Sequence, residues 1–203
     1  MQDDSSTNLT DKKAENKGFW ATIKEIVIFI VIALCIVMPF RKFVAEPYIV
    51  SGTSMFPTFN TGNYLIVDKI SYRLNDPKRF DVVVLAYPND TSKDFLKRVI
   101  GLPNERVIIS KGSVTIINKE NQKGFKLSEE YVKFPKEDDM SFTLNDDEYF
   151  VMGDNRKDSF DSRYFGPVPR FDILGKPIAR LLPVKKIDIN PGFYNQQTNE
   201  SEK

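Results

Sequence analysis

The sequence predicts a mainly β domain that follows one N-terminal helix apolar enough to cross a membrane. Two observations favour this fold class. Fifteen consecutive residues, Ile26 to Phe40, carry no charge. After them come eight short runs dominated by Val, Ile, Tyr and Phe, each bounded by Gly, Pro, Asn or Asp. No helical period of useful length appears outside the apolar run.

The N-terminal region divides into a tail and an apolar segment. Residues 1–18 are polar and lack an apolar period, which predicts a disordered tail. Residues 19–42 are predicted to be a transmembrane anchor, in which Lys24 and Glu25 extend to the interface. A buried core helix and a cleaved signal peptide are the alternatives. The run has no polar stripe, and RKFVAEPYIV has no A-x-A cleavage pattern, so an anchor is favoured.

Basic residues near the two ends of the apolar segment predict its orientation. Four lysines precede the uncharged run Ile26–Phe40 and two basic residues follow it: Lys12, Lys13, Lys17 and Lys24, against Arg41 and Lys42. Because positive residues are retained in the cytoplasm, we expect the N-terminus inside and residues from about 43 onward outside.

The eight β-rich runs follow in the order PYIV, YLIVDKI, DVVVLAY, FLKRVIG, RVIIS, SVTIIN, EYFVMG and GKPIARLL. They predict one domain over residues 43–190. Residues 118–147 are rich in charge and are predicted to be a hairpin excursion or long loop on the sheet. Residues 191–203 are polar and are predicted to be a flexible C-terminal tail.

Composition excludes several kinds of chemistry. The chain has no histidine and one cysteine, Cys35, so a Ser-His-Asp triad, a Cys-His dyad, an imidazole metal site and an intrachain disulfide are impossible. Its net charge of +1 leaves no basic footprint for nucleic acid. If the protein is a hydrolase, its base is a lysine, a carboxylate or a metal held by oxygen ligands.

A serine and a lysine are the first candidates for chemistry. Ser54 lies in SGTSMFPT, between a glycine and a proline that favour a turn, although an ordinary turn would have the same pattern. Lys97 lies in FLKRVIGLP, where strand alternation puts it on one face with Phe95 and Val99. Apolar neighbours lower a lysine's pKa and suit it to act as a general base, whereas a lysine at a strand edge extends into solvent.

A third segment, Gly153 to Arg163, is dense in polar groups. GDNRKDSFDSR directly follows an apolar run, which suits a loop that braces a site, although a solvated surface turn has the same composition. An EF-hand calcium loop needs an interior glycine and a terminal glutamate that this segment lacks, so no metal site is predicted.

Together these segments resemble the type I signal peptidases, a family of membrane-tethered serine proteases with a Ser/Lys dyad. The resemblance covers nearly the whole chain. After the anchor come SMFPT at Ser54–Thr58, RFDVVV at Arg79–Val84, KRVIGLP at Lys97–Pro103 and the GDNR-containing box at Gly153–Arg163. The short stretch between the last two boxes is similar to that of the compact bacterial enzymes. The resemblance therefore implies an extracytoplasmic, signal-peptidase-like β-sheet catalytic domain.

The resemblance also implies roles for individual residues. Ser54 is the implied nucleophile, Lys97 the general base, and Ser159 a hydrogen-bond partner that orients the Lys97 amine. Met55 is implied to pack beside the nucleophile, and Gly153 to let the backbone pass close behind the dyad.

The implied site also includes three charged residues and one position, Gly52, that differs from some members of the family. Asp161 and Arg163 are similar to an ion pair that holds the Ser159 loop, with Arg98 as a third member. Some members of the family have a serine at the position of Gly52, two residues before the nucleophile, whose hydroxyl helps to bind the oxyanion. Here the Ser54 N–H remains as an oxyanion donor.

The implied function is removal of N-terminal signal peptides from exported preproteins after small residues, through an acyl-enzyme and without a cofactor. The implied partners are preproteins, the lipid bilayer and, transiently, the secretion machinery, but not nucleic acid. Ser54 follows Phe40 by 14 residues, at most about 50 Å of extended chain, so the nucleophile is expected near the outer membrane surface. The alternatives are a membrane peptidase dedicated to one substrate and an inactive tethered β-domain that binds secreted proteins.

Overall fold

The computed structural model describes residues 7–194, with side chains described for 20, 22–41 and 43–194. The chain divides into two compact units, Met1–Val44 and Ala45–Lys203. Within the described part, the first unit is one helix, α1 (Thr7–Phe43). Its segment Thr22–Arg41 is long and apolar enough to cross a membrane, with a mean hydropathy of 2.6. Residues 7–18 are helical here, where the sequence predicts a disordered tail, and residues 1–6 lie outside the described chain.

The second unit is built mainly from β-strands, so the predicted fold class is confirmed. Its large sheet has the strand order β1-β2-β11-β3-β4-β9-β10, and β12 pairs with β11; all pairs are antiparallel. These strands are β1 (Ala45–Ile49), β2 (Tyr64–Asp68), β3 (Val82–Tyr87), β4 (Asp90–Gly101), β9 (Glu148–Met152), β10 (Val168–Pro169), β11 (Ile173–Leu182) and β12 (Asp188–Ile189).

A smaller sheet has the order β7-β6-β5-β8. Its strands are β5 (Arg106–Ser110), β6 (Ser113–Ile117), β7 (Phe125–Lys126) and β8 (Met140–Thr143). Residues 118–147, predicted to be a hairpin excursion or long loop, thus contribute two short strands that complete this sheet. Short helical turns connect the strands elsewhere: α2 (Ser71–Leu74), α3 (Ser162–Phe165) and 3₁₀ turns at Arg156–Asp158, Arg170–Asp172 and Val184–Lys186.

Strand alternation divides the core, because successive side chains of a strand face opposite sides of its sheet. On β3, Val83 and Leu85 pack in one apolar cluster with Val99, whereas Val82 and Val84 pack in another with Met55. Both faces of β3 are therefore buried, which explains its unbroken apolar run. A third cluster joins the smaller sheet to strands β4 and β9 through Ile100, Phe150 and Met152.

The start of the predicted C-terminal tail is packed against the domain. Pro191 is buried, and the Tyr194 Oη donates a hydrogen bond to the Ser128 carbonyl at 3.0 Å. The prediction of a flexible tail is therefore wrong for residues 191–194, because an aromatic ring can be buried there at the edge of the core. Residues 195–203 lie outside the described chain.

Candidate active site

The structure brings Ser54 and Lys97 into direct contact across 43 residues of sequence. The Lys97 Nζ lies 2.9 Å from the Ser54 Oγ, which is hydrogen-bonding distance. Lys97 lies on β4, where its register partner on β3 is Val83. It projects from the middle of the large sheet, so its backbone is fixed on both sides.

Burial governs the ionisation of Lys97, whose exposed fraction is 4%. Desolvation disfavours the ammonium form and is the main cause that lowers the pKa of Lys97 to about 8. The carboxylates of Asp161 and Asp154 act in the opposite direction, and the Arg163 guanidinium adds to the lowering. The amine is therefore partly neutral near physiological pH, as a general base requires.

Asn155 holds the backbone of residues 51–59, which carry Ser54 and which we call the serine segment. Its N–H donates to the Ser54 carbonyl at 3.0 Å, and its Nδ2 donates to the Thr53 carbonyl at 3.2 Å. Sequence reasoning assigned no role to Asn155, although it stands inside the quoted GDNR box. The box thus supplies the hydrogen bonds that fix the position of Ser54.

Gly153 lies where a side chain cannot fit. It follows β9 directly, and in the β4–β9 register Met152 is opposite Arg98, so Gly153 is next to Lys97. A Cβ on Gly153 would be 2.4 Å from the Ser54 carbonyl oxygen and 2.3 Å from the Ser159 Oγ. The backbone therefore passes close behind the serine and lysine, as the resemblance implies.

Ser159 is buried beside this glycine, with an exposed fraction of 6%. Its Oγ has no hydrogen-bond partner of normal geometry among the described residues, so the implied bond to the Lys97 amine is not made in this structure. Lys97 is instead hydrogen-bonded to Ser54. The sequence predicts the proximity of Ser159 to the site but not the direction of its hydroxyl.

Asp161 and Arg163 form the expected buried ion pair. The Arg163 Nε and Nη2 donate to the two Asp161 carboxylate oxygens at 2.8 and 2.9 Å. Burial is the largest single influence and raises the pKa of Asp161, but the Arg163 guanidinium and the hydrogen bonds from Gly153 and Ser159 together lower the net pKa. The Arg163 Nη2 also donates to the Arg156 carbonyl at 2.8 Å, and the Asp161 carboxylate accepts from the Gly153 N–H at 3.0 Å. The pair thus ties the loop to the glycine behind Lys97.

Arg98 belongs to a different ion pair from the one predicted. Its Nε and Nη2 donate to the Asp154 carboxylate at 2.8 and 2.6 Å, and both side chains are almost wholly buried. The expectation that Arg98 joins Asp161 and Arg163 is therefore wrong. Because successive side chains of a strand alternate, Arg98 and Lys97 point to opposite faces of β4. Arg98 therefore binds the Asp154 carboxylate on the face opposite Lys97. The second Asp154 oxygen also accepts from the Thr58 Oγ1 at 2.5 Å.

The remaining two predicted residues flank the serine. Met55 is buried and packs with Phe59, Leu65 and Val84 beneath the serine segment. Gly52 is exposed in a turn at φ +98°, a left-handed conformation that favours glycine. The Thr61 Oγ1 bridges this turn, accepting from the Gly52 N–H at 3.1 Å and donating to its carbonyl at 2.9 Å.

A cleft of about 280 Å³ opens at the Ser54–Lys97 contact. Its walls come from the β1 end and the serine segment on one side, and from β4 on the other. The lining residues are Tyr48, Ile49, Val50, Ser51, Gly52, Ser54, Met55, Leu65, Val84, Asp94, Phe95, Leu96, Lys97 and Phe160. Most of them are apolar, which suits the binding of an extended peptide with small side chains.

A serine hydroxyl next to a buried lysine amine, at the base of a cleft in a β-domain, is the arrangement of a serine hydrolase that needs no histidine. Residues 23–182 match the family model described as signal peptidase, peptidase S26, and the chain belongs to that family. It is 37% identical over 190 residues to a probable signal peptidase I-2 of Synechocystis sp., covering 89% of this chain and 82% of that protein.

A further relative and a solved structure are also similar to this chain. A signal peptidase I of Bacillus caldolyticus is 37% identical over 76% of this chain and 89% of its own. The crystal structure of a signal peptidase I from Enterococcus faecalis V583 is 31% identical, with a TM-score of 0.44 over 50% of this chain and 97% of that one.

Proposed function

We propose that this chain is a serine endopeptidase that removes signal peptides from preproteins, with Ser54 as nucleophile and Lys97 as general base. The single observation that carries these roles is the 2.9 Å contact between the Lys97 Nζ and the Ser54 Oγ in a site that buries the amine. Membership of the signal peptidase family supports the substrate class.

The reaction is an acyl transfer. The neutral Lys97 amine takes the proton of the Ser54 hydroxyl while the Oγ attacks the scissile carbonyl. The resulting ammonium then gives a proton to the leaving amine, and an acyl-enzyme remains on Ser54. Lys97, neutral again, deprotonates a water molecule that hydrolyses the ester.

Charge develops on the carbonyl oxygen during each attack, and the Ser54 backbone N–H is the donor assigned to it. Gly52 provides no hydroxyl at the position where some members of the family have a serine. The Asn155 hydrogen bonds to the Thr53 and Ser54 carbonyls support this assignment, because they fix the peptide plane that contains that N–H and the plane that follows it.

The substrate is proposed to lie as an extended strand in the cleft between the serine segment and β4, with small side chains in its apolar wall. Members of the family are membrane-anchored, and Thr22–Arg41 provides one candidate span. We place the N-terminus in the cytoplasm and the catalytic domain on the extracytoplasmic face. Contacts with the bilayer and, transiently, with the secretion machinery follow from that location.

The roles are tested with the purified full-length chain in detergent and a preprotein that carries an A-x-A site. Ser54→Ala and Lys97→Ala are expected to reduce cleavage to background, since members of a catalytic unit fail together. Lys97→Arg is expected to fail as well, because a guanidinium stays protonated. Lys93→Ala, an exposed position on the same strand, is the matched control and should retain activity.

Three outcomes contradict parts of the proposal. Robust cleavage by Lys97→Arg excludes a lysine general base. Binding of preproteins without cleavage by the unmodified chain identifies an inactive tethered domain. Cleavage of only one among many preproteins identifies a dedicated peptidase.

A further inference from the structure

The last described residues of the chain, Asn190–Tyr194, form a segment that we call the C-terminal strap. It starts beside β11, where the Asn190 N–H donates to the Ile178 carbonyl at 2.9 Å, and turns back through a Phe193 N–H bond to the Asn190 carbonyl at 3.1 Å. Asn190 and Gly192 have positive φ values of 56° and 79°. The strap is thus an ordered turn.

One of these carbonyls meets the buried arginine next to Lys97. The Arg98 Nη1 donates to the Gly192 carbonyl at 2.7 Å and to the Phe80 carbonyl at 2.8 Å, while its Nε and Nη2 bind Asp154. A guanidinium with an exposed fraction of 1% needs an acceptor for each of its N–H groups. Gly192 provides one of the four acceptors.

The strap also packs against the segment that carries the proposed nucleophile. A Cβ on Gly192 would lie 2.9 Å from the Phe59 ring and 2.9 Å from the Val82 side chain, so the backbone itself touches both. Phe59 is fully buried and packs with Met55, the residue after Ser54. The serine segment therefore rests on the strap.

Tyr194, the last residue of the strap, packs against two aromatic rings near Arg98. Its ring lies 5.1 Å from the Phe80 ring and 4.9 Å from the Tyr131 ring, between centroids. Tyr131 in turn carries the Arg98 guanidinium 4.2 Å above its ring. The strap thus covers the face of the Arg98–Asp154 pair that points away from Lys97. A cavity of about 430 Å³ lies beside the strap, between it and residues of β3 and β11.

We propose that the C-terminal strap is a positioning element for catalysis. Its Gly192 carbonyl holds Arg98 on Asp154. Its contact with Phe59 holds the serine segment against Lys97. The proposal rests on the function assigned above. The strap touches neither Ser54 nor Lys97, so its effect is exerted through Arg98, Asp154 and Phe59.

A positioning role for the strap predicts a change in the ionisation of Lys97, which a purely structural role does not predict. Three charged groups act on the Lys97 amine, namely Asp161, Asp154 and Arg163. Arg98 itself faces Asp154, Tyr131 and Arg156. Without the Gly192 acceptor the guanidinium is held less firmly, and Asp154 is neutralised less completely. The Lys97 ammonium is then favoured, and the working range of the enzyme moves to higher pH.

The test compares two shortened chains with the full-length protein in detergent. A chain that ends at Asn190 lacks all of the strap except its first residue, whereas a chain that ends at Tyr194 keeps the whole strap and is the matched control. For the first we expect kcat to fall about 10- to 100-fold at pH 7, as for misplaced catalytic groups, with little change in KM. Its loss should be smaller at pH 10, because Lys97 is then neutral. The chain ending at Tyr194 should match the full-length protein.

A second measurement does not depend on cleavage. The rate at which acetic anhydride acylates Lys97 can be followed by mass spectrometry from pH 6 to 11, and its midpoint reports the ionisation of the amine. We expect an upward shift for the chain ending at Asn190. Gly192→Ala, which pushes the strap outward at full length, should shift the midpoint in the same direction.

Two results overturn the proposal. One is an unchanged kcat and an unchanged acylation midpoint in both the chain ending at Asn190 and Gly192→Ala. The other is a loss of activity that parallels the unfolded fraction at every pH, which identifies the strap as a purely structural element. An inactive full-length chain is a failure of the assigned function instead, and the acylation midpoint still decides the role of the strap.

Discussion

At the scale of single residues, the ionisation of Lys97 predicts how activity depends on pH. Because burial lowers its pKa to about 8, the share of neutral amine that can accept the Ser54 proton falls as the pH drops below that value. We expect kcat/KM to rise about tenfold per pH unit from pH 6 and to level off above about 8. Initial rates on an A-x-A peptide measure the profile. A rise that continues to pH 10 would show an amine with ordinary ionisation.

The tight packing at Gly153 predicts a strong effect of one added methyl group. Gly153→Ala places its Cβ 2.4 Å from the Ser54 carbonyl oxygen and 2.3 Å from the Ser159 Oγ. Backbone has to move, so we expect a loss of about 1–3 kcal/mol in stability and a large fall in kcat. Urea unfolding and initial rates measure the two effects.

The matched control is Gly62→Ala, at a glycine with φ +85° and no heavy atom within 4 Å of the added methyl group. It incurs a conformational cost of about 1–2 kcal/mol without a collision. We expect its kcat to be retained below the melting temperature. Equal losses of kcat in the two variants would refute a specific role for the space at Gly153.

The hydroxyl of Ser159 predicts different effects on stability and activity. Its Oγ makes no hydrogen bond of normal geometry and only helps to lower the pKa of Asp161, so Ser159→Ala should change the urea midpoint of unfolding little. If Ser159 accepts a hydrogen bond from the Lys97 ammonium during the reaction, kcat should fall about 10- to 100-fold with KM unchanged. A wild-type kcat would show that Ser159 only fills space in the loop.

At the scale of elements, β4 supplies two functional residues to opposite faces of one sheet. Lys97 faces the cleft, and Arg98 faces Asp154 from the loop after β9. Breaking a buried ion pair leaves an uncompensated charge, so Asp154→Asn should lower the free energy of unfolding by about 3–5 kcal/mol. Asp76→Asn, in the exposed pair with Arg170, is the control and should change it little. Similar unfolding midpoints for the two variants would contradict a structural role for the buried pair.

The elements differ in how well the sequence predicts them. The β-rich runs predict the strands because alternation and apolar burial are local properties, and the quoted boxes identify Ser54, Lys97 and the polar loop. The partner of Arg98 was not predictable in this way. Asp154 and Asp161 stand in the same box, and the choice between them depends on the β4–β9 register and the turn at Gly153.

The same reasoning explains the other differences. The orientation of the Ser159 hydroxyl and the hydrogen bonds of Asn155 depend on loop conformation, which short polar sequences do not specify. Strands β7 and β8 have two and four residues and are too short for a recognisable period. Residues 191–203 are polar as a whole, and the packing of the strap depends on Tyr194, whose ring lies against two aromatic rings of the domain.

At the scale of the whole molecule, the proposed orientation predicts which positions are accessible from outside the cell. In a Cys35→Ser background, Glu137→Cys should react with a membrane-impermeant maleimide on intact cells, since Glu137 is an exposed residue of the β-domain. Ser5→Cys should react only after the membrane is permeabilised. The reverse pattern would invert the orientation, and a mature chain that begins near residue 46 would identify the apolar segment as a cleaved signal.

The smaller sheet has a practical consequence for anyone who wishes to follow this protein in living cells. Its β6–β7 turn exposes residues 119–123, and none of the site contacts described above involves that turn. Surface turns of this kind tolerate inserted sequence, because the entropic cost of closing a loop grows only slowly with its length. An epitope tag or a dye-binding peptide between Gln122 and Lys123 should therefore report the location and turnover of the enzyme while leaving both chain termini untouched.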